Sequence, residues 1–153
     1  MQPYAHRPLS TQSSIRVLTL EPASDFHAPL RCRLTDVNLN REEISYEALS
    51  YVWGSATGTN PLSCEGRELL ITPNCESALR HLRFKSRDRN LWVDAICIDQ
   101  KLKSERGHQV KMMDDIFGKA TQVLIWVTLI PRQHWLLRTL GPYMLGTGYH
   151  FLV

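Results

Sequence analysis

The sequence predicts an α/β fold with a mixed sheet: a parallel βαβ core with strands at 91–98 and 122–127, preceded by an amino-terminal part that contains a hairpin. Two observations carry this prediction. From residue 73 onward, helical and strand patterns alternate at 73–84, 91–98, 104–119 and 122–127, which is the sequence form of a crossover unit. Before residue 73 the chain consists of short, partly alternating stretches divided by turn-forming residues, as antiparallel pairs are. At 153 residues and 43% apolar composition, the chain suffices for one domain built on one core.

Each element has its own warrant. Residues 1–14 are polar and aperiodic and read as a flexible lead-in. "IRVLTL" (15–20) is a first strand, closed by the turn-forming "EPASD", and "LRCRLTDVNL" (30–39) alternates as a half-exposed antiparallel neighbour does. "YEALSYVWG" (46–54) is a strand that runs into the loop "GSATGTN". "LSCEGRELLI" (62–71) places Glu65-Gly66 between two apolar stretches, a hairpin signal. Thr72 caps the next helix, with Pro73 at its first position where a missing N–H costs nothing, and Ala78, Leu79 and Leu82 form its core face. After the strand "LWVDAICI", Ser104 is the expected N-cap of a helix to Lys119, whose apolar face is Met112, Met113, Ile116, Phe117 and Ala120. "TQVLIWV" (121–127) ends the pattern as a strand.

Composition excludes several functional classes. The net charge of +3 comes from scattered Lys and Arg, and "RHLRFKSRDR" (80–89) reads as a solvated helix end, so no nucleic-acid partner is expected. The four cysteines, at 32, 64, 75 and 97, have no spacing of the kind a zinc site uses, so no metal is expected. No membrane partner is expected either, since Pro131, Arg132, Gln133, His134 and Arg138 interrupt the apolar tail short of the roughly 18 residues a spanning helix needs. The start "MQPYAHRPLS" is unlike a signal peptide, and a cytoplasmic location follows as the expectation. "GSATGTN" lacks the Lys-Ser/Thr of a phosphate-binding loop, and no nucleophile-elbow or zinc-protease motif occurs.

Acidic residues next to the central strand are the main candidates for chemistry. Asp94 shares an apolar run with Trp92, Ile96 and Ile98, where an uncompensated carboxylate would cost several kcal/mol. It is either a core group satisfied by backbone N–H groups or an Arg, or a polar group in a ligand cleft. Asp99, at the end of the strand, reads equally well as an Asx-type turn former. Ligands of open α/β sheets bind beyond the carboxyl ends of the strands, and residues 98–109 occupy that region here. Glu105 stands in the first turn of the following helix, and with Gln109, Met112 and Ile116 it lies on or near the face that packs on the sheet. Arg106 is its neighbour, and His108, beside Gln109, is the histidine that lies in this region.

Three segments, "YEALSYVWG" (46–54), "LWVDAICIDQ" (91–100) and "ERGHQVKMMDDIFGKATQVLIWV" (105–127), resemble in order and spacing the fungal heterokaryon-incompatibility (HET) domain. The resemblance covers residues 15–127, the amino-terminal part of such a domain, and includes the hairpin and helix of "LSCEGRELLITPNCESALRHLR". It implies a cell-death effector or signalling module of fungal non-self recognition, working through protein partners or self-association, on a sheet distantly similar to Toll/interleukin-receptor (TIR) domains. By the same likeness, an alternative is an NAD-cleaving glycohydrolase with NAD as substrate and no certain cofactor. Glu105 would then be the catalytic acid, with Tyr51 and Trp53 stacking on a base or on nicotinamide, and Asp94, Asp99, Arg106 and Gln109 as ligand-binding candidates. Residues 128–153 depart from the family, which usually continues with a Leu-Gly-Glu/Asp segment. This tail looks like a gene-model artefact, and a non-functional truncated fragment is the third reading.

Overall fold

The structure is a computed structural model that describes residues 1–41, 45–55, 57–127 and 149–152. Most of the atypical tail therefore lies outside the described residues. Eight strands form one mixed sheet in the order β5-β4-β2-β1-β6-β3-β7-β8. β1 (Ser14–Leu20) is buried along its whole length because β2 (Arg31–Asn38) and β6 (Arg89–Val93) flank it, both antiparallel. β3 (Glu47–Tyr51) lies between β6 and β7 (Val123–Trp126) and is parallel to each. β4 (Asn60–Cys64) runs parallel to β2 and turns back into β5 (Arg67–Ile71), while β8 (Tyr149–Leu152) is parallel to β7.

The β4–β5 hairpin forms at the dipeptide that signals it. Glu65 and Gly66 take φ of 51° and 75°, the pair of positive values that a two-residue turn matching the strand twist requires. α1 (Pro73–Leu82) begins as expected, with Thr72 Oγ1 accepting the Cys75 N–H at 3.2 Å and Pro73 in the first turn. Cys75, Ala78, Leu79 and Leu82 are its buried positions.

The βαβ core differs in two respects from its sequence reading. The strand expected over 91–98 ends at Val93, and Asp94–Cys97 make one helical turn, α2. Asp94 drives this change: its Oδ1 accepts the Ala95 N–H at 2.7 Å, and its carbonyl accepts the Ile98 N–H at 3.2 Å. A short polar side chain that bonds its own neighbouring backbone competes with the ladder, and the strand stops there. The expected strand thus holds only as far as Val93. Ile96, Cys97 and Ile98 are buried all the same, so apolar content alone does not distinguish strand from turn.

The second difference concerns the helix expected over 104–119. It is two helices, α3 (Lys103–Lys111) and α4 (Met113–Lys119), meeting at Met112. There the Met112 N–H reaches back to the Gln109 carbonyl at 3.0 Å, an i−3 bond that tightens the turn. Ser104 is not the cap. Asp99 starts the segment instead, its Oδ1 accepting the Lys101 N–H at 3.0 Å and its carbonyl the Leu102 N–H at 3.2 Å. The Trp92 and Phe117 rings meet edge to face, which docks α4 on the sheet. β6 and β7 are parallel, as the crossover pattern requires, but β3 lies between them.

Residues 1–14, read as a flexible lead-in, run as a strap across the sheet. The Tyr4 N–H donates to the Glu68 carbonyl at 2.7 Å and the Glu68 N–H to the Gln2 carbonyl at 2.8 Å, which adds a rung to the outer edge of β5. Further along, Ser10 donates to the Asp36 carboxylate from its N–H and its hydroxyl.

Candidate functional site

The carboxyl ends of β6, β3 and β7 lie side by side, and the segment that leaves β6 packs on β1 and β6. α2 links two polar clusters there, with Asp94 at its start and the Cys97 carbonyl at its end.

The first cluster is built on Asp94. Trp53, just past the end of β3, donates its indole N–H to both carboxylate oxygens, at 3.1 and 3.2 Å, while the Ala95 N–H supplies a third contact. Burial raises the Asp94 pKa above the ordinary carboxylate range, and the Ala95 and Trp53 donors offset only part of that rise because neither carries a charge. Gln100 Nε2 donates to the Asp94 carbonyl at 2.9 Å and fixes the turn. Tyr51 ends β3 beside this group. Its hydroxyl is buried next to Cys75 and Thr72, and burial pushes the phenol well above its usual range. Cys75, in the first turn of α1, is buried too, and its thiol is pushed up to about 12. Trp126 at the end of β7 donates to Asn74 Oδ1 at 3.2 Å, and Asn74 in turn donates to the Val52 carbonyl, tying α1 to this rim.

The second cluster holds Glu105. Arg16 projects from the buried centre of β1 and meets the carboxylate with both terminal nitrogens, Nη1 to Oε1 at 2.5 Å and Nη2 to Oε2 at 3.0 Å. The Asp99 N–H donates to Oε1 at 2.8 Å. The side chains of Arg16 and Glu105 are only 4% and 8% exposed. Burial opposes the Glu105 charge, but Arg16 and the Asp99 N–H outweigh it and hold the carboxyl below its ordinary range. Arg16 also donates to the Cys97 and Arg7 carbonyls at 2.9 and 2.5 Å, so both ends of its guanidinium are occupied. His6, from the strap, sits against the Ile96 carbonyl through Nε2 at 2.8 Å, with Nδ1 4.0 Å from Asp99 Oδ1.

The structure thus brings Tyr51, Trp53 and Asp94 together, and Asp99 with Glu105, on either side of α2. Two candidates stand apart. Gln109 is buried and donates to the Ser14 carbonyl at 2.9 Å, fastening α3 to β1, and Arg106 is exposed on α3. His108 bonds the Gln12 carbonyl at 2.6 Å. Sequence reasoning misses Arg16 and His6. Arg16 carries a signal: a lone Arg in "SIRVLTL", otherwise the most apolar strand of the amino-terminal part, asks for a buried acid just as Asp94 asks for a donor. His6 carries none, because nothing local marks residues 1–14 as packed. Among the described residues, no group of three or more His, Cys, Asp or Glu is placed to hold a metal, and no helix is long and apolar enough to cross a membrane.

Comparison with known proteins agrees with the segments that carry the resemblance. The family model described as "Heterokaryon incompatibility protein (HET)" matches residues 46–136, which include all three of them. Heterokaryon incompatibility protein 6, OR allele, of Neurospora crassa is 37% identical over 126 residues, covering 74% of this chain. The chain spans only 18% of that relative's length. No solved structure matches. With three matched motifs carried on the β3, β6 and β7 segments and more than half of the residues inside the family model, this chain belongs to the heterokaryon incompatibility (HET) family.

Proposed function

We propose that this chain acts in fungal non-self recognition as a binding module of the cell-death pathway, in the cytoplasm of fused cells, through protein partners or self-association and without chemistry of its own. One observation carries the choice of binding over catalysis. Both oxygens of Glu105 are engaged by Arg16 and one also by the Asp99 N–H, in a place almost closed to solvent. An acid that stabilises a developing positive charge on a ribosyl carbon has to face that charge. Here the guanidinium already stands where the charge would be, and separating the pair leaves two buried ions uncompensated. The NAD-cleaving alternative, and with it a catalytic Glu105, requires the Arg16–Glu105 pair to open.

The test is direct. Purified protein is incubated with NAD at high protein concentration and nicotinamide is followed by chromatography, with Glu105→Ala as control. The expected result is no release above the blank for either protein. Release by the wild type that a folded Glu105→Ala protein lacks would overturn the binding reading. In parallel, expression in a compatible fungal host should reduce viability whether or not NAD falls.

A further inference from the structure

Two thiols outside both polar clusters face one another across a pair of parallel strands. Cys32 of β2 and Cys64 of β4 are register partners, and the backbone bonds from Ser63 N to the Leu30 carbonyl and from Glu65 N to the Cys32 carbonyl bracket them. Paired strands lie about 4.8 Å apart, and partners in register point to the same face. That spacing falls inside the range of about 4.4–6.8 Å between Cα atoms that a disulfide spans. Both thiols are free, and their residues are 2% and 0% exposed. They also differ in character. A hydrogen bond from Cys32 lowers the Cys64 pKa against the opposing effect of burial, and Tyr4 and Arg7 of the strap add to that lowering. Cys32 is pushed far up by the same contact and by burial. A thiol of lowered pKa in contact with one of raised pKa suits Cys64 to attack and Cys32 to resolve.

We propose that Cys32 and Cys64 form a redox-modification site, a dithiol that a hydroperoxide closes to a cross-strand disulfide. The Cys64 thiolate attacks a peroxide oxygen, the O–O bond breaks, and a sulfenic acid forms as hydroxide leaves. The Cys32 thiol then attacks the Cys64 sulfur, the S–S bond forms and the sulfenic oxygen leaves as water. Two thiols lose two electrons in total, and one peroxide is reduced. Access is controlled by the strap, because Tyr4 lies against Cys64 and its segment is held by separate contacts, the two backbone bonds to Glu68, the Arg7–Glu65 pair, the His6–Ile96 bond and the Arg7 carbonyl on Arg16, with no continuous ladder. Such a segment opens locally at far lower cost than the sheet. Cys75 and Cys97 lie in α1 and α2 with no register-paired thiol, and burial pushes each up to about 12, which disfavours their attack on a peroxide.

The full chain is treated with hydrogen peroxide under native conditions, alkylated, and digested without reduction. The expected product is a peptide linking Cys32 to Cys64 that a dithiol reductant releases, with alkylatable thiols falling from four to two. Cys32→Ser should leave a dimedone-reactive sulfenic acid at Cys64, and Tyr4→Ala should speed closure several-fold. Retention of all four thiols, preferential oxidation of Cys75 or Cys97, or a rate that Tyr4→Ala does not change would each overturn the proposal. If Cys32→Ser does not fold, the wild-type peptide map alone decides.

Discussion

Removing one partner from a buried ion pair costs far more than the pair is worth, and Arg16–Glu105 is placed to show this. Glu105→Gln leaves a guanidinium 4% exposed with no counter-charge, and we expect a loss of about 3–5 kcal/mol by denaturant unfolding. The double change Arg16→Met with Glu105→Leu removes both ions and should recover most of that loss. If the single and double variants are equally unstable, the carboxylate is doing more than neutralising Arg16. The two acids also predict opposite pH dependences. Glu105 has a lowered pKa in the fold, so its contribution is full above the ordinary Glu range and is lost as pH falls through the folded value. Asp94 has a raised pKa, so stability falls as pH rises from the ordinary Asp range through its folded value. Asp94→Asn should abolish that upper fall and cost no more than about 1 kcal/mol at neutral pH, since an amide oxygen still accepts from Trp53 or Ala95. Stability curves from pH 3 to 8, taken for wild type and both single variants, would separate the two contributions.

At the scale of elements, α3 is weakened by its own sequence. It lacks a side-chain cap, and Gly107 stands in its middle with no positive φ and nothing within 4 Å of the place a Cβ would take. Gly107→Ala should therefore stabilise the protein by about 0.5–1 kcal/mol, read as a higher urea midpoint at unchanged slope. Gly58→Ala is the contrasting case, because its Cβ would lie 2.4 Å from the Leu70 carbonyl oxygen and the chain would have to shift. The elements legible in the sequence are those whose signal is local. Glu65-Gly66 marks the hairpin, Thr72-Pro73 marks the start of α1, and apolar periodicity marks the crossover from β6 to β7. Illegible are the features decided by partners distant in sequence. "LWVDAICI" is apolar enough for a long strand, yet the Asp94 carboxylate turns the backbone after Val93, and Trp53 completes the site from the loop after β3. Likewise, Glu105 stands out as an acid on the sheet face, but only the neighbouring position of β1 in the sheet reveals that Arg16 neutralises it.

For the molecule as a whole, the sheet order places β5 at one margin, where the strap supplies the last backbone bonds. An uncovered strand offers a row of donors and acceptors to another chain, and Leu70, 52% exposed on β5, would make that contact apolar as well. The strap reaches beyond this margin. The Arg7 carbonyl takes a hydrogen from Arg16, His6 meets the Ile96 carbonyl, and Tyr4 packs against the core. Residues 2–7 therefore tie the β5 edge to α2 and the Arg16–Glu105 pair, at opposite sides of β2 and β4 in the sheet. Deleting residues 2–9 should consequently do two separable things. It should lower the unfolding midpoint, because Arg16 loses an acceptor and Glu68 loses two backbone partners, each net bond contributing about 1 kcal/mol. It should also promote concentration-dependent association, seen by light scattering after gel filtration, because an edge strand has been opened. Leu70→Lys in the deleted chain should suppress the association and leave the midpoint where the deletion put it. If the deletion lowers the midpoint without association, the strap acts through Arg16 alone; if neither changes, the amino-terminal residues contribute nothing to the fold, and the tie between β5 and α2 fails.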